Sequence, residues 1–213
     1  MIKSEKGLLN EAGFDQWAMS YDQSIDSDEV GYPFEGYFDV LSYIQKSVHV
    51  DRNTSILDLG IGTGLLTTYF YKQGASIFGL DFSKQMIHEA SKKMPHATLI
   101  YHDLNDALPK EILKQKYDYI LSSYALHHVD DQRKLDLIQQ LISCLKPTGK
   151  MLFGDISFET NEQLDHVKQT TTRWDEDEFY MVASSFVTKL KSVGVHAEYV
   201  QISVCGGVLK VYM

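Results

Sequence analysis

The sequence predicts an α/β fold: a seven-stranded, mostly parallel sheet, helices on both faces, and an antiparallel strand from a C-terminal hairpin. Three observations carry this expectation. Between residues 55 and 155, short apolar runs alternate with helical patterns, the order that builds parallel sheets. The runs are continuously apolar, as strands covered on both faces are. The end of the chain holds two β-rich runs joined at Gly206-Gly207, a hairpin signal.

Each element has its own signal. Leu8, Ala12, Phe14, Trp17, Ala18 and Tyr21 fit helical spacing, and an acidic stretch (Asp22, Asp26, Asp28, Glu29) leads to Gly31-Tyr32-Pro33. A second helical pattern carries Tyr37, Leu41, Ile44 and Val48. Strands are expected at 55–59, 76–80, 98–101, 117–122 and 150–153. A helix over 65–73 ends at Gly74, and one over 83–94 opens on a capping Ser83 and stops at Pro95. The helix expected over 131–145 places Leu135, Ile138, Leu141, Ile142 and Leu145 on one face. Thr160 with Gln163 reads as a capping box. Phe179, Val182, Phe186, Leu190 and Val193 read as an amphipathic helix closed by Gly194, with the acidic run 175–178 as its solvated start. Strand runs at 195–204 and 208–213 form the hairpin. No linker and no second core interrupt this order, so 1–213 reads as one domain.

Composition narrows the function. The 213 residues carry 20 Lys+Arg against 29 Asp+Glu, a net charge of −9, which argues against a face that tracks nucleic-acid phosphates or anionic lipid. Only Cys144 and Cys205 occur, so no disulfide framework exists and a reducing cytoplasmic setting is expected. No signal-peptide pattern opens the chain, and no run approaches the ~18 apolar residues of a membrane span. The histidines show no metal-ligand spacing, and no Gly-x-Ser-x-Gly elbow is present, so neither a metal site nor a serine hydrolase is expected.

The most informative segment is Ile56-Leu57-Asp58-Leu59-Gly60-Ile61-Gly62-Thr63-Gly64. A strand that runs into Gly-x-Gly-x-Gly and then a helix lets a ligand press against backbone and helix N-terminus. Alone, such glycines could mark nothing more than a tight turn. Their spacing differs from the Gly-x-Gly-x-x-Gly of dinucleotide binding, and no phosphate-loop lysine follows. Asp58, just before the glycines, would repel a pyrophosphate and welcome a cation. Asp81, 21 residues beyond Gly60, ends the next strand, where a carboxylate can bind a ribose diol. Asp103 beside Leu104 ends the third strand, suited to an adenine amino group and ring.

The order Asp-Leu-Gly-x-Gly-Thr-Gly at 58–64, Leu-Asp-Phe-Ser at 80–83 and His-Asp-Leu at 102–104 resembles the class I S-adenosylmethionine-dependent methyltransferases. So do Tyr-Asp-Tyr-Ile-Leu-Ser-Ser at 117–123 and Leu-Lys-Pro-x-Gly at 145–149. Phe14-Asp15-x-Trp17-Ala18-x-x-Tyr21-Asp22 and Tyr124-Ala125-Leu126-His127-His128 narrow the likeness to the YrrT-like branch of small methyltransferases. The likeness runs from about Phe14 to the terminal hairpin and implies a Rossmann-like fold. It divides the chain into an N-terminal lid (1–50), a cofactor core (51–155), and substrate-wall helices with the hairpin (156–213).

The resemblance also implies roles. Gly60, Gly62 and Gly64 would admit the methionine portion of S-adenosylmethionine, with Asp58 near its ammonium. Asp81 would take the ribose, Phe82 and Met86 would flank the adenine, and Asp103 with Leu104 would fix its amino edge. Ser122 and Ser123 would lie beside the sulfonium. Thr148 stands where the family more often has a glycine, and reads as a tolerated turn variant.

A sulfonium methyl moves by in-line displacement, so the protein chiefly aligns the partners and excludes water. A base is needed only if the acceptor must lose a proton. His127 and His128 follow the fourth strand's C-terminal end; at most one is expected to face the pocket, and His127 is the choice. A packing role competes for each. Tyr21 is a second catalytic candidate, and Trp17, Tyr21, Tyr124, His127 and Asp155 are the expected substrate pocket. Arg173 and Trp174 lie in a segment that often supplies substrate walls, and the pocket is expected to draw on residues 1–36 and 156–180. The expected partner is a small-molecule methyl acceptor, with neither nucleic acid nor membrane, and the protein a monomer or homodimer. A non-catalytic sensor of S-adenosylmethionine or S-adenosylhomocysteine is the alternative; a nicotinamide-dependent dehydrogenase fits the glycine spacing poorly.

Overall fold

The computed structural model describes residues 11–18 and 31–212. The strands are β1 (Ser55–Leu59), β2 (Ser76–Asp81), β3 (Thr98–Tyr101), β4 (Tyr117–Ser123), β5 (Leu145–Phe158), β6 (Met181–Val182), β7 (His196–Gln201) and β8 (Gly206–Tyr212). Seven of them form one sheet in the order β3-β2-β1-β4-β5-β8-β7, and the two-residue β6 pairs with the end of β5. β1 to β5 run parallel, while β8 is antiparallel to both β5 and β7. The predicted mixed sheet with its terminal hairpin is therefore the fold.

Strand period two sends alternate apolar residues to opposite sides. Leu57, Ile120 and Met151 enter one core; Ile56, Leu121 and Leu152 enter the other. All are essentially inaccessible, and each such side chain contributes about 1.5–3 kcal/mol over exposure. The first core is covered by α6 (Asp131–Ile142) and α8 (Ala183–Ser192), through Leu137, Leu141, Phe186 and Leu190. The second is covered by α2 (Tyr37–Ser47), α3 (Thr67–Tyr71), α4 (Lys84–Lys93) and α7 (Asn161–Thr170). A short α1 (Glu11–Trp17) and α5 (Lys110–Leu113) complete the helices used below.

The caps explain several boundaries. Ser83 accepts from the Met86 amide, and the predicted capping box at Thr160 and Gln163 forms. The helix expected over 131–145 stops at Ile142, because the Cys144 carbonyl accepts the Tyr117 amide at 2.8 Å and Leu145 begins β5. The helix expected from Phe179 starts only at Ala183. Phe179 donates its amide to the His127 carbonyl at 2.8 Å, and Met181–Val182 pair with β5. The acidic run 175–178 is accordingly not a helix start. In the turn 146–149, a Cβ on Gly149 would sit 2.9–3.1 Å from three backbone oxygens, so this glycine is required. The Thr148 substitution falls one residue earlier.

Candidate active site

Sheet order reverses at β1, whose two neighbours lead to helices on opposite faces. Ligands bind beyond the C-terminal strand ends at such a switch point. A cavity of about 200 Å³ lies there. Its floor is the glycine loop, bent by the amides of Gly60 and Ile61, which both donate to the Leu80 carbonyl at 2.8 and 2.9 Å.

The three glycines have three different reasons. Gly60 (φ +70°) could not carry a Cβ, which would lie 2.3 Å from the Ala125 Cβ. Gly64 (φ +78°) packs under Met94 and faces away from the cavity. Gly62 (φ +54°) has nothing within 4 Å of a Cβ and opens onto the cavity. The Gly62 amide donates to Asp81 Oδ2 at 2.8 Å, and Asp81 Oδ1 accepts the Ser83 amide at 2.9 Å. Phe82, Met86, Asp103, Leu104, Ser123 and Tyr124 line the same cavity, with Asp81. Tyr124 is held at φ +51°, a strained value for a bulky residue.

Other expected site residues lie elsewhere. Asp58 is buried beneath the loop; its Oδ2 accepts the Thr67 hydroxyl at 2.9 Å, and its Oδ1 has no hydrogen-bond partner. Ser122 is fully buried and donates to the Leu59 carbonyl at 2.7 Å, so its hydroxyl serves the sheet. His127 does not line the cavity; His128 does. The two sit in a 3-10 turn, where Asp155 captures His127 and His128 is left at the cavity. Asp155 Oδ1 meets His127 Nδ1 at 2.5 Å, and Asp155 Oδ2 accepts the His127 amide at 3.0 Å. Asp155 is thereby withdrawn from the cavity as well. Tyr21 and the Trp17 side chain lie outside the described residues.

Several wall residues were not singled out by the sequence. Phe14 of α1 covers the cavity, its ring 5.1 Å from Phe82 and 5.4 Å from His128, both edge-on. Asp15 anchors that helix by accepting from the Ser83 hydroxyl at 2.5 Å and the Gln85 amide at 3.1 Å. Tyr37, Thr63, His102, Asn105 and Ala125 also line it. Phe14 was quoted in the N-terminal motif, which is the signal that could have found it. Residues 156–180 supply none of this wall; several of them border a separate, open groove.

Burial sets the electrostatics. It pushes Asp58 up to about 7, with Thr67 opposing and Asp81 adding, and it pushes Asp81 up to about 6 against three backbone amides. Burial opposes charge on His127, yet the Asp155 and Glu178 carboxylates outweigh it and hold the imidazole above its ordinary range. His128, buried beside His127, is pushed down to about 2 and is neutral.

Residues 56–149 match the family described as Methyltransferase domain. The uncharacterized methyltransferase OB1106 of Oceanobacillus iheyensis is 30% identical over 200 residues, covering 89% of this chain and 91% of that protein. The chain belongs to the S-adenosylmethionine-dependent methyltransferases. An uncharacterized methyltransferase of Bacillus cereus is 30% identical over 179 residues, 83% of this chain and 79% of its own. Among solved structures, DhpI in complex with SAM and HEP aligns with TM-score 0.70 at 18% identity, over 99% of this chain and 100% of its own. Magnesium protoporphyrin IX methyltransferase from Synechocystis PCC 6803 with bound SAH aligns with TM-score 0.61 at 18% identity, over 98% and 90%.

The methyltransferase uses S-adenosylmethionine as its cofactor. The chemistry of the residues present is compatible with that ligand: the open glycine floor at Gly62 leaves room for a chain at close range, and Asp58, buried beneath the loop, keeps an unpartnered carboxylate oxygen. Among the described residues no helix is long and apolar enough to cross a membrane.

Proposed function

We propose that this methyltransferase acts on a small-molecule acceptor by in-line displacement inside the α1-covered cavity. The observation that carries the reading is enclosure: Phe14 roofs a space of about 200 Å³, and Asp15 pins the roof to the start of α4. DhpI, which aligns over its whole length, is held with SAM and HEP. When bound, S-adenosylmethionine supplies a methyl group already activated by a sulfonium.

The protein's share is binding, alignment and exclusion of water. Asp81 takes the ribose hydroxyls, Phe82, Met86 and Leu104 flank the adenine, and Asp103 receives its amino edge. Asp58 balances the ammonium from below the loop, directly or through water. Ser123, Tyr124, Tyr37 and His128 form the acceptor end. His128, kept neutral, walls that end without bringing a charge to it.

The test is a methyl-transfer assay reading S-adenosylhomocysteine release across small hydroxyl, amine, thiol and carboxylate acceptors, beside calorimetry with S-adenosylhomocysteine. Tight binding with turnover on one small-molecule class is the expected result. Tight binding without turnover on any of them would leave a sensor, and turnover only on RNA or protein would overturn the reading.

A further inference from the structure

We propose that His127, His128 and Glu178 form a site for a divalent transition-metal ion of the zinc class, beside the acceptor end of the cavity. One ligand atom from each residue can be chosen so that all three lie within 4.8 Å of one another. His127 Nε2 stands 3.8 Å from Glu178 Oε1, and the two imidazole rings are 4.1 Å apart at 54°. Tetrahedral zinc bonds of about 2.0–2.1 Å place donors roughly 3.3 Å apart. The donors therefore need to draw in by roughly 0.5–1.5 Å.

The surroundings are those of a ligating histidine. Metal-binding imidazoles usually give their second nitrogen to a carboxylate, which fixes the ring. Asp155 does this for His127 at 2.5 Å, and is itself held by the His127 and Ile156 amides. His127 Nε2 is thus the nitrogen turned toward Glu178. His128 Nδ1 is buried without a hydrogen-bond partner. The Glu178 segment is fixed on the same turn, because the Phe179 amide donates to the His127 carbonyl and Lys134 Nζ donates to the Phe179 carbonyl.

Charge points the same way. Asp155 and Glu178 place two poorly exposed carboxylates on one imidazole, and a dication supplies the positive charge that this leaves short. Two imidazoles and a carboxylate select a zinc-class ion over magnesium or calcium, which favour oxygen donors alone. Three protein donors leave a fourth position for water or an acceptor atom. Access exists on both sides: the open groove reaches Glu178, and the cofactor cavity reaches His128.

The experiment uses tag-free full-length protein stripped with chelator, then titrated with Zn²⁺ by calorimetry and with Co²⁺ by its visible absorption. We expect one equivalent bound at micromolar affinity or tighter, with a Co²⁺ spectrum of a low-coordinate nitrogen–oxygen site and a raised Tm. Glu178→Gln should weaken Zn²⁺ at least about tenfold while keeping the far-ultraviolet dichroism of the folded chain. Asp155→Asn, acting through His127, should weaken it about 10–100-fold. Absence of stoichiometric binding, or equal affinity in a folded Glu178→Gln variant, overturns the site and leaves the methyl-transfer reading untouched.

Discussion

Asp58→Asn separates what a buried carboxylate costs the free protein from what it contributes to the complex. Asp58 is 1% exposed, and one of its oxygens has no partner. Burial therefore lifts it from the ordinary aspartate value of about 3.9 to about 7. Between those values the folded protein holds a proton that the unfolded chain has released. The contribution is fully present below pH 4 and is lost as pH rises toward 7. About three units at 1.36 kcal/mol each is a loss of up to about 4 kcal/mol, and the Asn variant escapes it. Ligand-free Asp58→Asn should therefore match the wild type near pH 3.5, already exceed it by about 1.5 kcal/mol at pH 5, and exceed it by about 4 kcal/mol in denaturant stability at pH 7.5. Cofactor binding should run the opposite way, because only the carboxylate answers an ammonium. Wild-type affinity for S-adenosylhomocysteine should fall about tenfold per unit below pH 7. The Asn variant should bind about 10–100-fold more weakly at pH 7.5, the worth of one charge-assisted hydrogen bond, and with a flatter pH dependence. Asp81, lifted to about 6, titrates in the same window, so the variant rather than the wild-type curve assigns the slope. Calorimetry from pH 5.5 to 7.5 measures both. A variant that binds as tightly as the wild type at pH 7.5 refutes the reasoning.

Asp81→Ala removes the acceptor of the Gly62 and Ser83 amides together with the proposed ribose partner, so S-adenosylmethionine affinity should drop at least about 100-fold. Unchanged calorimetric affinity in a folded variant would sink that assignment. Gly60→Ala forces a Cβ to 2.3 Å from the Ala125 Cβ at φ +70°, and should cost about 1–3 kcal/mol in urea unfolding. Gly62→Ala meets open space, so it should lose only about 1 kcal/mol of stability while projecting a methyl into the cofactor floor and weakening binding more. Phe14→Ala removes two edge-on ring contacts, worth about 0.5–1.5 kcal/mol each, and should raise the dissociation constant for S-adenosylhomocysteine about tenfold with little change in Tm.

The cavity floor was legible because local backbone fixes it. Asp81 ends β2 and Asp103 follows β3 closely, and Gly60 and Gly62 sit in a turn whose shape their own sequence dictates. Residues settled by distant partners were not legible. Ser122 reads as a strand-end hydroxyl until the Leu59 carbonyl, on the neighbouring strand, is seen to take it. His127 and His128 are adjacent, and only Asp155 on β5 decides which one is drawn inward. Glu178 reads as the solvated start of a helix because its period continues into α8. The Phe179 amide's bond to His127 breaks that helix and turns the carboxylate toward the imidazole.

The net charge of −9 takes on a different meaning once burial is known. Most carboxylates are surface groups, but Asp58, Asp81 and Asp155 are each at most 6% exposed, and the Glu178 side chain is 17% exposed. The buried positive side chain nearby, Lys134, is engaged with Asp131 and the Phe179 carbonyl. A fold that buries carboxylates at its strand ends carries a desolvation cost, which protonation offsets in the free protein and a bound cation can offset in its place. Two clusters follow from this: Asp58 and Asp81 under the glycine loop, and Asp155 with Glu178 around His127. The first suits the positively charged half of S-adenosylmethionine and the second a metal ion. Electrostatic selection for cations, more than cavity shape alone, is what these strand ends impose on a ligand.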